Sequence, residues 1–262
     1  MAIADLHLVP IEQFQNFLLC LARVIALVAA IPAFAGSQIG GQIKIGIAFA
    51  TALVLFPAMA PYTPKITLSL AEFGFLIVNE VILGVMMGLV AQLVFTAVSF
   101  GGTVIGYQMG FAAANIFDPQ TTQQLSLMSQ FINILALLAF LAMNIHHYFF
   151  RVIVESYQLL PPGLLDFSQG AVSELMRFAS HMFVLGVKFS APVLALLLIA
   201  NVVLGILARV FPQLNVFMLS FPLNIGIALV VIGLTLNAMF SVLRREFDTM
   251  GENILTLLQL LR

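Results

Sequence analysis

Six long apolar runs leave this chain few folds to choose from: roughly Phe14–Ala35, Ile43–Ala60, Phe73–Phe100, Leu125–Phe150, Met176–Val210 and Val216–Leu243. A helix rises about 1.5 Å per residue, so about 20 apolar residues cross the hydrocarbon core of a bilayer. Five runs reach that length and Ile43–Ala60 sits just under it. The chain is 62% hydrophobic and 8% charged. Soluble domains carry roughly 25% charged residues, so this chain has too little polar surface to stay in water. The expected fold is an all-α integral membrane protein with about six long hydrophobic helices.

The same accounting narrows function. The stretches outside the runs, chiefly Gly101–Gln124, Arg151–Leu175 and the tail from Arg244, leave little chain for a soluble catalytic domain. A net charge of −1 offers no basic stripe for nucleic-acid phosphates. Cys20 is alone and lies inside the first run, which excludes an internal disulfide and a thiolate metal site. His146 and His147 are adjacent, so on a helix they point about 100° apart, without the spacing of a metal site. No phosphate loop, His-Glu-x-x-His or Gly-x-Ser-x-Gly motif is present. Nothing marks an enzyme, and nothing calls for a cofactor.

Met1–Gln13 carries Asp5 and Glu12 but no Lys or Arg, so the first run is expected to stay rather than be cleaved as a signal. That fits insertion into a bacterial-type inner membrane. If all six runs cross, Lys65, Arg151, Arg177, Arg244, Arg245 and Arg262 fall on one side and Lys44 and Arg209 on the other. The bias places both termini inside. Tyr62, Tyr107, Tyr148 and Tyr157 lie at or just beyond run ends, where an amphipathic ring favours the interface.

No linker or low-complexity tract divides the chain, which reads as one membrane domain over 1–262. Three hydrophobic helices occupy 1–100, a Gly-rich segment 101–121, three more helices 122–243 and an amphipathic helix 244–262. Asp118-Pro119 is a favourable helix start, with a capping carboxylate before a residue that lacks an N–H. Pro192 is expected to kink the fifth run, and the turn Pro212-Gln213-Leu214-Asn215 folds the fifth and sixth runs into a helical hairpin. In the tail, Phe247, Met250, Ile254, Leu257, Leu258 and Leu261 recur at helical spacing, as on a helix packed against a partner or the interface.

Arg23, Glu80 and Lys188 lie inside apolar runs, where each costs about 2.5–3.5 kcal/mol at the bilayer centre on insertion scales. Two readings stay open: ion or proton coupling in a transporter, or structural pairing with one another or with partner subunits. Asn79, Gln92, Gln130, Asn133, Asn144, Asn201, Asn224 and Asn237 add amides that lipid cannot satisfy, which points to inter-helix and inter-subunit surfaces. Gly84 and Gly88, then Gly102, Gly106 and Gly110, recur at intervals of four and would share one face of a continuous helix, as in close helix packing. Gly101–Thr121 is too rich in glycine for a comfortable span and too apolar for a solvated loop. Its Tyr107, Met109, Phe111 and Phe117 suit a constriction or plug, or else a re-entrant loop with no gating role.

These residues carry a specific resemblance. Ile105–Gln120 (IGYQMGFAAANIFDPQ), Ala200–Ile225 (ANVVLGILARVFPQLNVFMLSFPLNI) and the earlier Pro32–Ala50 stretch resemble the FliR family of flagellar export-gate proteins, relatives of the T-type proteins of virulence type III secretion. The resemblance implies a non-enzymatic subunit that joins FliP-like and FliQ-like membrane proteins in a closed helical assembly, alongside FlhB-like and FlhA-like export components. That assembly passes unfolded flagellar proteins across the bacterial inner membrane at the flagellar basal body. It implies that the segment matching Tyr107–Thr121 plugs the pore. It also implies helices seated partly above the membrane plane, which undercuts the loop-charge topology. The alternatives are a virulence export gate and, from a different class, a small-solute secondary transporter. The intramembrane charges and the Pro192-broken helix support the transporter; the lack of an inverted repeat counts against it.

Overall fold

The computed structural model describes residues 10–32, 40–63, 69–110, 127–165, 169–213 and 215–262, and among them the ordered structure is helical, with no strand. The elements are α1 (Ile11–Ala30), α2 (Gly41–Met59), a single 3-10 turn over Ala60–Tyr62, α3 (Leu70–Gln108), α4 (Leu127–Ala142), α5 (Ile145–Leu159), α6 (Gln169–Val210) and α7 (Val216–Leu260). An apolar chain in lipid has to satisfy its backbone internally, and helices do so segment by segment. Hydroxyls inside the helices follow the same rule: Thr103 and Ser190 donate back to the carbonyls of Ser99 (2.8 Å) and Gly186 (3.1 Å). Five helices are long and apolar enough to cross a membrane, or six if α4 and α5 form one bent span.

Local chemistry sets the helix ends. Ser69 and Glu72 form a capping box at the start of α3: the Ser69 N–H donates to Glu72 Oε2 (3.0 Å) and the Glu72 N–H to Ser69 Oγ (3.4 Å). The Met218 N–H donates to Asn215 Oδ1 (3.2 Å), so the last residue of the expected hairpin turn caps α7. Leu214 of that turn lies outside the described residues.

Three elements differ from the sequence-based expectation. The fourth apolar run breaks at Asn144, whose φ of 55° and ψ of 28° bend α4 from α5 by 67°. Gly101–Gln108 continues α3 as helix, with the backbones of Gly186 and Ser129 closing on Gly101 and Gly102, and that close packing offsets the entropic cost of its glycines. The tail is the continuous end of α7, and Met250, Ile254, Leu257, Leu258 and Leu261 bury their apolar face within the chain itself.

The chain forms two compact units. The first unit comprises Met1–Gln92, Asn144–Phe178 and Asp248–Arg262. Its core includes Leu19, Val24, Leu27, Leu83, Met87 and Ile153. In it α2 packs on α1, with Phe17 edge-on to Phe49 and Phe56 at centroid distances of 5.7 and 5.6 Å. The second unit comprises Leu93–Met143 and Ala179–Phe247. Phe95, Phe140 and Phe247 meet there with centroids 5.5–5.8 Å apart, the range of favourable aromatic pairs.

Candidate functional site: a closed ionic centre and two glycine seams

Arg23 projects from the middle of α1, and its guanidinium is fully buried. A charge there demands a counter-charge and a partner for nearly every N–H. Glu80 on α3 supplies the first: Arg23 Nε donates to Oε2 (2.5 Å) and Nη2 to Oε1 (2.9 Å), a bidentate fork. The inner face of α5 supplies the rest. Arg23 Nη1 donates to Ser156 Oγ (2.9 Å), Nη2 donates to the Leu160 carbonyl (3.1 Å), and the Tyr157 ring lies 3.8 Å beneath the guanidinium carbon. Tyr157 Oη donates in turn to Glu80 Oε2 (2.9 Å). Arg23, Glu80, Ser156, Tyr157 and Leu160 all have 0% exposure. The centre pairs opposite charges in full burial, and it ties three helices that are far apart in sequence.

Glycine makes that approach possible. One turn after Glu80, a Cβ on Gly84 would stand 2.5 Å from the Arg23 carbonyl oxygen; a turn later, one on Gly88 would stand 2.3 Å from the Ala30 Cβ. Neither distance is allowed to real atoms, so α1 and α3 sit this close only because both residues lack a side chain. A second seam lies in the second unit: a Cβ on Gly102 would stand 2.7 Å from the Ser129 Cα, and one on Gly101 2.8 Å from the Gly186 carbonyl oxygen. Ser129 Oγ donates across this seam to the Ser99 carbonyl (2.8 Å). Gly106 is buried farther along α3.

The other singled-out residues are placed as follows. Lys188 is exposed on α6 and has no ion-pair partner among the described residues. Tyr107, in the last turn of α3, is 62% exposed, whereas Met109 is buried at 1%. Gly110 ends the helix at φ 90°, a backbone region cheap only for glycine, with the Phe221 ring filling the space a Cβ would take. Phe111 and Phe117 lie outside the described residues. Pro212 and Gln213 are exposed in the turn that follows α6.

Sequence reasoning missed Ser156, Tyr157 and the Leu160 carbonyl. Tyr157 is not an interfacial anchor like the exposed Tyr62, Tyr107 and Tyr148 but a buried member of the ionic centre. The available signal was periodicity: Phe149, Val152, Ile153, Ser156 and Tyr157 form one buried stripe of α5, so two polar groups lie on a core face.

The sequence profile described as bacterial export proteins, family 1, matches residues 14–250. The flagellar biosynthetic protein FliR of Bacillus subtilis is 33% identical over 255 residues, which cover 95% of this chain and 97% of that protein. The FliR proteins of Pectobacterium carotovorum and Escherichia coli K12 are 33% and 32% identical, covering 86% and 84% of this chain and the same shares of their own. With a match running from α1 almost to the end of α7, the chain belongs to the FliR family of bacterial flagellar export proteins.

Proposed function

We propose that this chain is a core, non-enzymatic subunit of the flagellar type III export gate in the bacterial inner membrane, at the flagellar basal body. It would assemble with FliP-like and FliQ-like subunits, beside FlhB-like and FlhA-like components, around a pore for unfolded flagellar proteins. The observation that carries this reading is the near full-length match to flagellar biosynthetic proteins of three bacteria. The surface of the hairpin supports it: Leu198, Ile199, Val202, Val203 and Ile206 on α6 and Met218, Val230 and Leu234 on α7 are all exposed, a surface made for lipid and neighbouring helices. The pairing of Arg23 with Glu80 works against the solute-transporter reading, because two of the three charges that recommended it are already neutralised by one another.

Within this reading the segment after Gly110 is the plug. Gly110 turns the chain out of α3, leaving Tyr107 exposed at its root while Met109 fills the packing behind it. The seal then falls to Tyr107, Phe111 and Phe117, with Met109 as its anchor.

The test is native mass spectrometry of the tagged full-length chain, extracted gently from its host membrane. Multiple copies of two other small membrane proteins in one complex are expected. A stable monomer or simple homodimer would sink the export reading and favour flux assays with small solutes. In an intact complex, Phe111→Ala with Phe117→Ala is expected to raise ion permeability; unchanged permeability would remove the plug assignment.

A further inference from the structure

We propose that α1 is a conditional helix: Arg23 prevents it from settling in the apolar phase until Glu80 of α3 arrives and closes the ionic centre. Three observations converge. First, α1 is the least apolar of the five long helices. Second, no Asp or Glu lies between Arg23 and the start of α3, and Glu12 of α1 itself stands about three turns before the guanidinium. Arg23 precedes Glu80 by 57 residues, α2 contains no Asp or Glu and carries Lys44, and Glu72 is committed to the Ser69 capping box. Third, the helices meet through Gly84 at the Arg23 backbone itself, so docking of α3 delivers the carboxylate to the guanidinium in one step.

The two charges are unequal, which distinguishes this device from an ordinary structural pair. A guanidinium stays protonated wherever it is placed, whereas a lone carboxyl can take up a proton and become neutral. Loss of Glu80 therefore strands α1; loss of Arg23 does not. The proposal draws nothing from the export role and stands or falls separately from it.

Cys20, the chain's one cysteine, is fully buried in α1 three residues before Arg23 and serves as a native probe. The full-length chain in host membranes is treated from both sides with a membrane-impermeant maleimide. The wild type and Arg23→Met are expected to stay unlabelled. Glu80→Ala is expected to label at least about tenfold faster, as local opening exposes α1. Arg23→Met combined with Glu80→Met is expected to restore protection and return abundance to within about twofold of wild type, as apolar replacement of a buried pair allows. Should Glu80→Ala be degraded, the double variant decides: recovery supports the proposal, and equal loss overturns it. Glu80→Ala at normal abundance with Cys20 protected would overturn it. So would labelling of Arg23→Met as fast as Glu80→Ala.

Discussion

Both units pack helices through glycine, but only the first adds a buried ionic centre to the seam. In the first, α1, α3 and α5 converge on a buried ion pair with its hydrogen bonds filled by Ser156, Tyr157 and the Leu160 carbonyl. In the second, α3, α4 and α6 meet backbone to backbone through Gly101, Gly102 and Gly186, beside the Phe95–Phe140–Phe247 cluster. The His181–Glu246 contact in this unit (2.9 Å) has a half-exposed histidine. Close packing tolerates small shifts in register, because glycine and apolar side chains repack. A bidentate fork does not, since a guanidinium displaced by a turn is left charged and unpaired in a buried core. The first unit thus has one geometry that satisfies it, and the second has a preferred one.

The largest expected effect breaks the ionic side of this comparison. Glu80→Gln keeps the shape but strands the guanidinium, and should cost about 3–5 kcal/mol in circular-dichroism melting of the detergent-solubilised chain. Tyr157→Phe leaves the ring under Arg23 but removes the hydroxyl that donates to Glu80, so about 1.5–3 kcal/mol is expected from the same melt. A Tyr157→Phe variant as stable as wild type would mean that the fork alone holds the centre.

The glycine seams give the next test. Gly84→Ala and Gly102→Ala each force a Cβ into a neighbouring backbone, and each should cost about 1–3 kcal/mol. What separates the units is coupling. Gly84 touches the backbone of Arg23, so Gly84→Ala combined with Glu80→Gln should depart from additivity by about 0.5–3 kcal/mol. Gly102 shares no partner with Glu80, and that pair should add within about 0.5 kcal/mol. Equal coupling in both pairs would erase the distinction drawn between the units.

The sequence made the apolar runs legible because membrane length is a one-dimensional property, written in consecutive residues. It flagged Arg23 and Glu80 for the same reason, as charges where charge is costly. It could not pair them, since nothing in a linear pattern says that position 23 faces position 80. The misread boundaries share one cause. The apolar run ends at Leu243, before Arg244 and Arg245, but α7 continues to Leu260, because helicity does not depend on apolarity. Conversely, Asn144 breaks a run that stays apolar around it: a single left-handed residue turns the chain without the Gly or Pro that usually announces a turn. Tyr157 was misplaced because proximity to a run end suggested water, while the stripe of α5 it belongs to faces inward.

The smallest effect on the chain alone is expected where its glycines touch nothing. A Cβ on Gly205 of α6 or Gly226 of α7 meets no atom of the described chain within 4 Å, and both positions are exposed. Glycine inside a helix costs about 1 kcal/mol relative to alanine, so two such residues on one hairpin are a cost with no return inside this chain. Close by, Asn224 is buried and donates to Asn201 Oδ1 (3.0 Å), while its own Oδ1 has no hydrogen-bond partner among the described residues. The open notches at Gly205 and Gly226 are what a neighbouring helix would fill. Gly205→Ala and Gly226→Ala should therefore leave the isolated chain's melting unchanged or raise it, by up to about 1 kcal/mol each. The same variants should reduce the yield of co-purifying membrane subunits from the host. Lower melting would mean that this face is packed by the chain itself; full yield with unchanged or raised melting would leave the hairpin glycines facing lipid alone. In contrast with Gly84 and Gly102, whose cost shows in the folded chain, these two would show theirs only in the assembly.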